Sequence, residues 1–223
     1  MSLLDVVFWF DGGVASVGRL GRPPASDSAE TRTRILDAAR LCFVDRGYDQ
    51  TTMKDIAATA AMTAGALYHH FASKQELFGA VFRRHQGEAF EEFEVAVAAG
   101  GGGFVEQLST VLDVAADIHG RDRGLAGFTA VATIELQRHP ELRAVVGEDS
   151  RGLYRFFERL LAASGDQMSA ADLEGLVNMV VAMFTGFSMF GPGPRAAAEH
   201  RAAIAAFKRA LAGELLSDPA PGG

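Results

Sequence analysis

The chain is 223 residues long, 48% hydrophobic and 22% charged, enough apolar material to bury a sizeable core in one or two domains and too much for a collagen-like or wholly disordered chain. Its 28 acidic residues against 21 basic ones leave a net charge of −7, which excludes a surface that attracts acidic polymers everywhere while allowing a local basic element. The single cysteine, Cys42, excludes a disulfide framework and a cysteine-based zinc site and points to a reducing, cytoplasmic compartment.

Residues 1–27 read as a flexible N-terminal arm. Leu3 to Phe10 is apolar but short, carries Asp5 and has no basic residue ahead of it, which makes a poor secretion signal. The run Arg22-Pro23-Pro24-Ala25-Ser26 marks a linker. From Glu30 onward, Ile35, Ala38, Ala39, Cys42 and Phe43 recur on one helical face, and Gly47 stands where that first helix should stop. Thr51 and Thr52 offer caps for a short second helix with Met53, Ile56, Ala57 and Ala60 on its apolar side. After a break at 60–62, Thr63 can cap a third short helix whose Leu67 and Phe71 point inward. Ser73 caps a longer fourth helix, with Leu77, Phe78, Val81 and Phe82 as its early apolar face, until Gly100 to Gly103 ends it.

Further helical patterns cover 104–119, 123–138, 141–164, 169–190 and 195–215, with breaks at Gly120, His139-Pro140, Ser164-Gly165 and Gly191-Pro192-Gly193-Pro194. Residues 216–223 read as a disordered tail. No run alternates convincingly as a strand would, so the expected fold class is all-α, with about nine helices. The most apolar window, Met179 to Phe190, is interrupted by Thr185, Gly186 and Ser188 and falls well short of the roughly 20 residues of a spanning helix, so no membrane partner is expected.

Charge is divided unevenly. Residues 30–85 hold eight basic and six acidic side chains, a charge of +2, whereas 86–223 hold eleven and nineteen, a charge of −8. That asymmetry fits an N-terminal module that meets nucleic acid and a larger acidic body that does not. Thr51 to Lys74 reads TTMKDIAATAAMTAGALYHHFASK, two short helices across a tight turn, the pattern of a helix-turn-helix. Reading DNA in the major groove needs an exposed helix face of small and hydrogen-bonding side chains. In the third helix Thr63, Ala64, Gly65, Tyr68 and His69 can form it. Gly65 lets the backbone approach closely, Tyr68 offers a hydroxyl to a phosphate, and His69 and His70 offer ring nitrogens. A metal site is not expected, because adjacent histidines on a helix do not face one ion. Tyr68 as an ordinary half-buried aromatic and Lys74 as a solvated charge are the plainer alternatives.

In order and spacing, Gly47-Tyr48, Thr52, Asp55-Ile56-Ala57, Gly65, Leu67-Tyr68, Phe71, Lys74 and Leu77 resemble the DNA-binding domain of TetR/AcrR-type transcriptional repressors over about residues 30–78. The rest of the chain is similar to that family in layout and length only. The resemblance implies a helix-turn-helix domain at 28–74, followed by a helical ligand-binding and dimerisation domain at 75–215. It implies a palindromic double-stranded DNA operator as partner, with Thr51, Thr52, Lys54, Thr63, Ala64, Gly65, Tyr68, His69, His70 and Lys74 at the contact, and Thr52 and Lys74 gripping the backbone on either side. Position 64 departs from many relatives in being Ala rather than Lys or Arg, so Arg19, Arg22, Arg32 and Arg34 could supplement affinity from the arm.

The larger domain is rich in Phe and Met. Phe104, Leu108, Leu112, Phe128, Phe157, Met179, Met183 and Phe187 suit a pocket for a small, mostly apolar effector, and suit a plain core equally well. Glu135 and His119 are candidates for a polar contact inside it. The resemblance implies a homodimer through the last two long helices, for which Leu173, Leu176, Val177, Val180 and Phe184, with Ile204, Phe207 and Leu211, are available, some of them facing their own core instead. Arg83, Arg84 and His85 fall near the expected domain junction, with a solvated face as the simpler reading. The expected function is ligand-responsive repression; the alternative is a ligand-independent or activating DNA-binding regulator whose C-terminal domain only dimerises. No enzyme and no cofactor are expected, since the chain has no phosphate loop, HExxH or nucleophile elbow.

Overall fold

A computed structural model describes residues 24–121, 123–188 and 194–213. The described residues form α1 (Pro24–Gln50), α2 (Met53–Thr59), α3 (Ala64–His70), α4 (Lys74–Gly100), α5 (Phe104–Arg121), α6 (Arg123–Arg138), α7 (Pro140–Val146), α8 (Gly152–Ser164), α9 (Ala170–Ser188) and α10 (Pro194–Leu211), with a 3₁₀ turn at Gly147–Arg151 and no strand among them. None of these helices is long and apolar enough to cross a membrane.

Most boundaries follow the residues that dictate them. Gly47 takes φ 75° and ψ 174° and breaks α1 where it was expected to stop, a conformation that costs a glycine little. Thr52, Thr63 and Ser73 each accept a backbone N–H at the start of α2, α3 and α4. Two expectations are corrected. The first helix begins at Pro24, inside the stretch read as linker and arm; proline's fixed φ and missing N–H suit a first helical turn. The single helix expected at 141–164 is three pieces, because Gly147 at φ 54° and ψ −130° cannot continue a right-handed helix.

Two apolar cores organise the molecule. The first joins Ile35, Ala39 and Phe43 of α1 to Ile56 of α2, Leu67 of α3 and Leu77 and Phe78 of α4, and it also recruits Phe128 and Ala132 from α6 and Leu142 and Val146 from α7. The helix-turn-helix segment therefore shares its interior with the body. α6 lies so close to α1 that a Cβ on Gly127 would come within 2.9 Å of Val44 Cγ1. The second core gathers Phe93 of α4, Phe104, Leu108 and Leu112 of α5, Phe156 and Phe157 of α8, Val177 and Val180 of α9 and Ile204 of α10. Phe90 and Phe156 stack there at 5.5 Å.

This arrangement apportions the last two helices. Leu173, Val177, Val180 and Ile204 turn into the second core, so they do not form the outer face for which they were available. The outward side of α9 carries Gly175, Met179, Ala182 and Gly186, and that of α10 carries Ala198, Ala202 and Ala205. The side chains of Phe184, Phe187 and His119, and residues 1–23 and 214–223 with the expected arm and tail, lie outside the described residues.

Candidate nucleic-acid interface

The N-terminus of α2 is built by a reciprocal cap. Asp55 N donates to Thr52 Oγ1 at 3.1 Å, while Thr52 N donates to Asp55 Oδ2 at 3.0 Å, satisfying two orphan donors of the first turn. The Thr52 hydroxyl also donates to Asp55 Oδ2 at 2.5 Å. These bonds from Thr52, ahead of the Arg46 guanidinium 3.3 Å away, hold the Asp55 carboxyl below its usual range. The turn to α3 closes through Met62 N to Ala57 O at 2.9 Å and passes through Ala61 at φ 53°. Thr63 Oγ1 then accepts from Ala66 N at 3.1 Å to start α3.

Leu67 on α3 and Phe71, which caps its end, are fully buried and anchor the helix. Opposite them Thr63, Gly65, Tyr68 and His69 are exposed, while Ala64 and His70 are half-buried. Tyr68 keeps 53% of its surface, which decides against the ordinary half-buried aromatic. A Cβ on Gly65 would meet only Thr63 Oγ1 at 4.0 Å. The protein's own packing therefore makes no demand for glycine there, and the room it leaves faces outward. Lys54 is exposed on α2. Arg32 of α1 sits with its guanidinium 4.5 Å from the Phe71 ring centroid, which holds a cation beside the end of α3.

Two expected contacts are placed otherwise. Thr51 is fully buried and donates its hydroxyl to Gly47 O at 2.7 Å and Cys42 O at 3.0 Å; it secures the end of α1 and cannot reach a phosphate. Lys74 turns its ammonium inward, donating to Tyr48 O at 2.6 Å and Asp49 O at 3.4 Å, 4.1 Å above the Tyr48 ring. Burial pushes that ammonium below its ordinary pKa, against the pull of Asp49 and Glu135.

The junction residues also differ from expectation. His85 is buried rather than solvated, its Nε2 2.9 Å from Thr129 Oγ1 and its ring 5.2 Å from that of Phe128. Arg84 ties α4 to α1 through Thr33 O at 3.1 Å and Asp37 at 3.1 Å, and Arg83 pairs with Asp149 at 3.5 Å. Phe128, a pocket candidate, belongs to the first core, and Met179, another, is 42% exposed on the outer face of α9. Phe104, Leu108, Leu112 and Phe157 do come together in the second core, with Met183 packed against them. Glu135, expected inside that region, stands at the other end of α6 and accepts from Tyr48 N at 3.0 Å. No local motif announces this bond, because its partners are 87 residues apart.

The sequence profile described as bacterial regulatory proteins of the tetR family matches residues 35–81. The KstR2 transcriptional repressor of Rhodococcus jostii (strain RHA1) is 38% identical over 81 residues, which cover 35% of this chain and 40% of that protein. The match thus spans about two-fifths of that relative. Over most of the chain, the crystal structure of a TetR-like transcriptional regulator from Rhodococcus sp. RHA1 superposes with a TM-score of 0.61 at 27% identity, covering 87% of this chain and 100% of that one. The FadR regulator of Bacillus subtilis, solved in complex with stearoyl-CoA, shares the fold with a TM-score of 0.64 at 21% identity, covering 84% and 98%. Residues 35–81, which hold the helix-turn-helix, thus match the tetR family of bacterial regulatory proteins, and the remaining helices share the fold of a solved TetR-like transcriptional regulator.

Proposed function

We propose that the chain is a transcriptional repressor that binds a palindromic operator as a homodimer and releases it when a small, mostly apolar molecule enters the C-terminal domain. The observation that carries the DNA-binding half is the outward face of α3, where Gly65, Tyr68 and His69 stand clear of a helix anchored by Leu67 and Phe71. Thr52, Lys54, Thr63 and His70 flank that face, and Arg32 adds a held cation. α3 carries no Lys or Arg of its own, so base reading would rest on neutral groups and affinity on cations around it.

Dimerisation is supported by the outer face of α9 and α10, where small residues around Met179 would let two copies approach closely. A two-fold pair reads two half-sites and multiplies the discrimination of one module. The effector reading is supported by the second core, whose Phe104, Leu108, Leu112, Phe157 and Met183 form an apolar centre remote from α3, and by the stearoyl-CoA held in the FadR structure. The close aromatic packing of Phe90, Phe93, Phe156 and Phe157 favours the alternative, a domain that only dimerises.

Selection of genomic fragments by the purified protein, followed by a salt titration on the winner, tests the first half. A palindrome whose affinity falls with salt at about −0.9 in log–log slope per neutralised phosphate is expected; enrichment of no site by a folded dimer refutes it. A screen of fatty acyl and steroid compounds for operator release then separates the two roles of the C-terminal domain.

A further inference from the structure

The turn that leads from α1 into the helix-turn-helix is gripped on both sides of one residue. Gly47, at φ 75°, swings the chain so that Tyr48 N donates to Glu135 Oε1 of α6 at 3.0 Å in a buried bond. The carbonyl of the same Tyr48 accepts from Lys74 Nζ at the start of α4. Its ring is buried against Phe43 and Phe78 and lies 5.1 Å from His139. Glu135 is 7% exposed, so it is a nearly buried charge. His139 Nε2 stands 3.3 Å from its second oxygen, and His139 also faces Asp49 at 3.5 Å and Glu141 at 2.9 Å.

A buried carboxylate accepting a backbone N–H makes a bond about twice as strong as a neutral one, and a directional one. A Cβ at position 47 would stand 3.0 Å from Glu135 Oε1, so the approach leaves little room for error. Between Tyr48 and α2 the chain has little slack, since only three residues separate Tyr48 from the cap at Thr52 and Thr51 N donates back to Tyr48 O at 3.3 Å. An angular change at Tyr48 is therefore passed to α2 and α3 as a unit.

We infer that Glu135 is a positioning residue for DNA binding: through the Tyr48 N–H it sets the angle of the α2–α3 unit to the body, and so the separation of the two recognition helices in the dimer. This rests on the dimeric operator-reading proposed above. It also gives α6 a polar handle on the DNA-binding module, beyond the apolar contact of Phe128 and Ala132.

The test uses the full chain and a set of operators whose half-sites are moved one base pair closer or further apart, with non-specific DNA and thermal unfolding measured alongside. Wild type, Glu135→Gln and Glu135→Ala are compared. Wild type is expected to prefer one spacing. Glu135→Ala should bind that spacing about tenfold more weakly or worse, the loss corresponding to one charge-assisted hydrogen bond, while the ratio between spacings flattens and non-specific affinity stays unchanged. Glu135→Gln, which keeps an amide oxygen for Tyr48 N–H but loses the charge facing His139 and Lys74, should fall between. A purely structural role would lower the melting temperature and weaken every spacing by one factor, and that result overturns the inference. So does a wild-type spacing ratio in both variants; where the Ala variant melts below the assay temperature, the Gln variant decides. If wild type itself ignores spacing, the dimeric reading falls and takes the inference with it; if only the variants fail to flatten, the role of Glu135 falls alone.

Discussion

Replacing Thr51 with valine keeps the volume of the side chain and removes one hydroxyl proton, which is shared between Gly47 O at 2.7 Å and Cys42 O at 3.0 Å. One proton makes one net hydrogen bond, about 1 kcal/mol, and a carbonyl left without its partner in a fully buried site adds a desolvation cost of about 1–3 kcal/mol. The expected loss is about 2 kcal/mol, or a melting temperature lower by roughly 4–8 °C for a chain of this size. With a total stability of about 5–15 kcal/mol, a loss of this size still leaves more than ~99% of the protein folded at room temperature. Operator affinity at 25 °C should therefore hold within about twofold. The neighbouring Thr52→Ala should behave differently. Losing the cap costs about 1 kcal/mol, and operator affinity falls without a change of salt slope, because a hydroxyl neutralises no phosphate charge. Both are read by circular dichroism melting at one protein concentration, since a dimer's stability depends on it, and by DNA titration at several salt concentrations. An unchanged melting curve with weakened DNA binding for Thr51→Val would place Thr51 at the DNA and refute the reasoning from its burial.

Leu67→Ala empties a fully buried position under α3 and should cost about 2–5 kcal/mol in urea unfolding; a loss below about 0.5 kcal/mol, the size of an ordinary surface substitution, would show that α3 is not anchored there. Tyr68→Phe, at an exposed site, should leave the melting temperature alone while weakening operator binding, and equal affinities would remove the phenol from the contact. Burial, and after it Glu141, Asp49 and Glu135, push the Tyr48 phenol up to about 12 from 10.0. A raised pKa favours the folded state below the unfolded value, so that contribution is present below pH 10 and lost as pH rises toward 12. The difference in phenolate absorbance between wild type and Tyr48→Phe isolates this group, and a midpoint at its ordinary value would contradict the burial. Ala182→Glu on the outer face of α9 should yield monomers in sedimentation, and a persistent dimer would move the interface elsewhere.

The local periodicity of 35–43, the caps at Thr52, Thr63 and Ser73 and the stop at Gly47 could all be read from neighbouring residues, because helix starts and ends are settled by backbone groups a few positions apart. The anchored Leu67 and Phe71 and the outward Gly65 and Tyr68 followed from that same spacing. The break at Gly147 escaped such reading, since a glycine inside a helical pattern discloses its φ only when packing chooses it. What tertiary structure alone decided was which apolar residues share a core and which polar groups meet. Phe128 joined the helix-turn-helix core, Leu173 and Val177 turned inward, and Met179 turned out. Thr51 and Thr52 are alike as caps by type, yet only the fold buries one and exposes the other. The bond from Tyr48 to Glu135 lies furthest from the reach of the sequence: any buried carboxylate satisfies a stray N–H, and only the packing of α6 against α1 determines which one arrives.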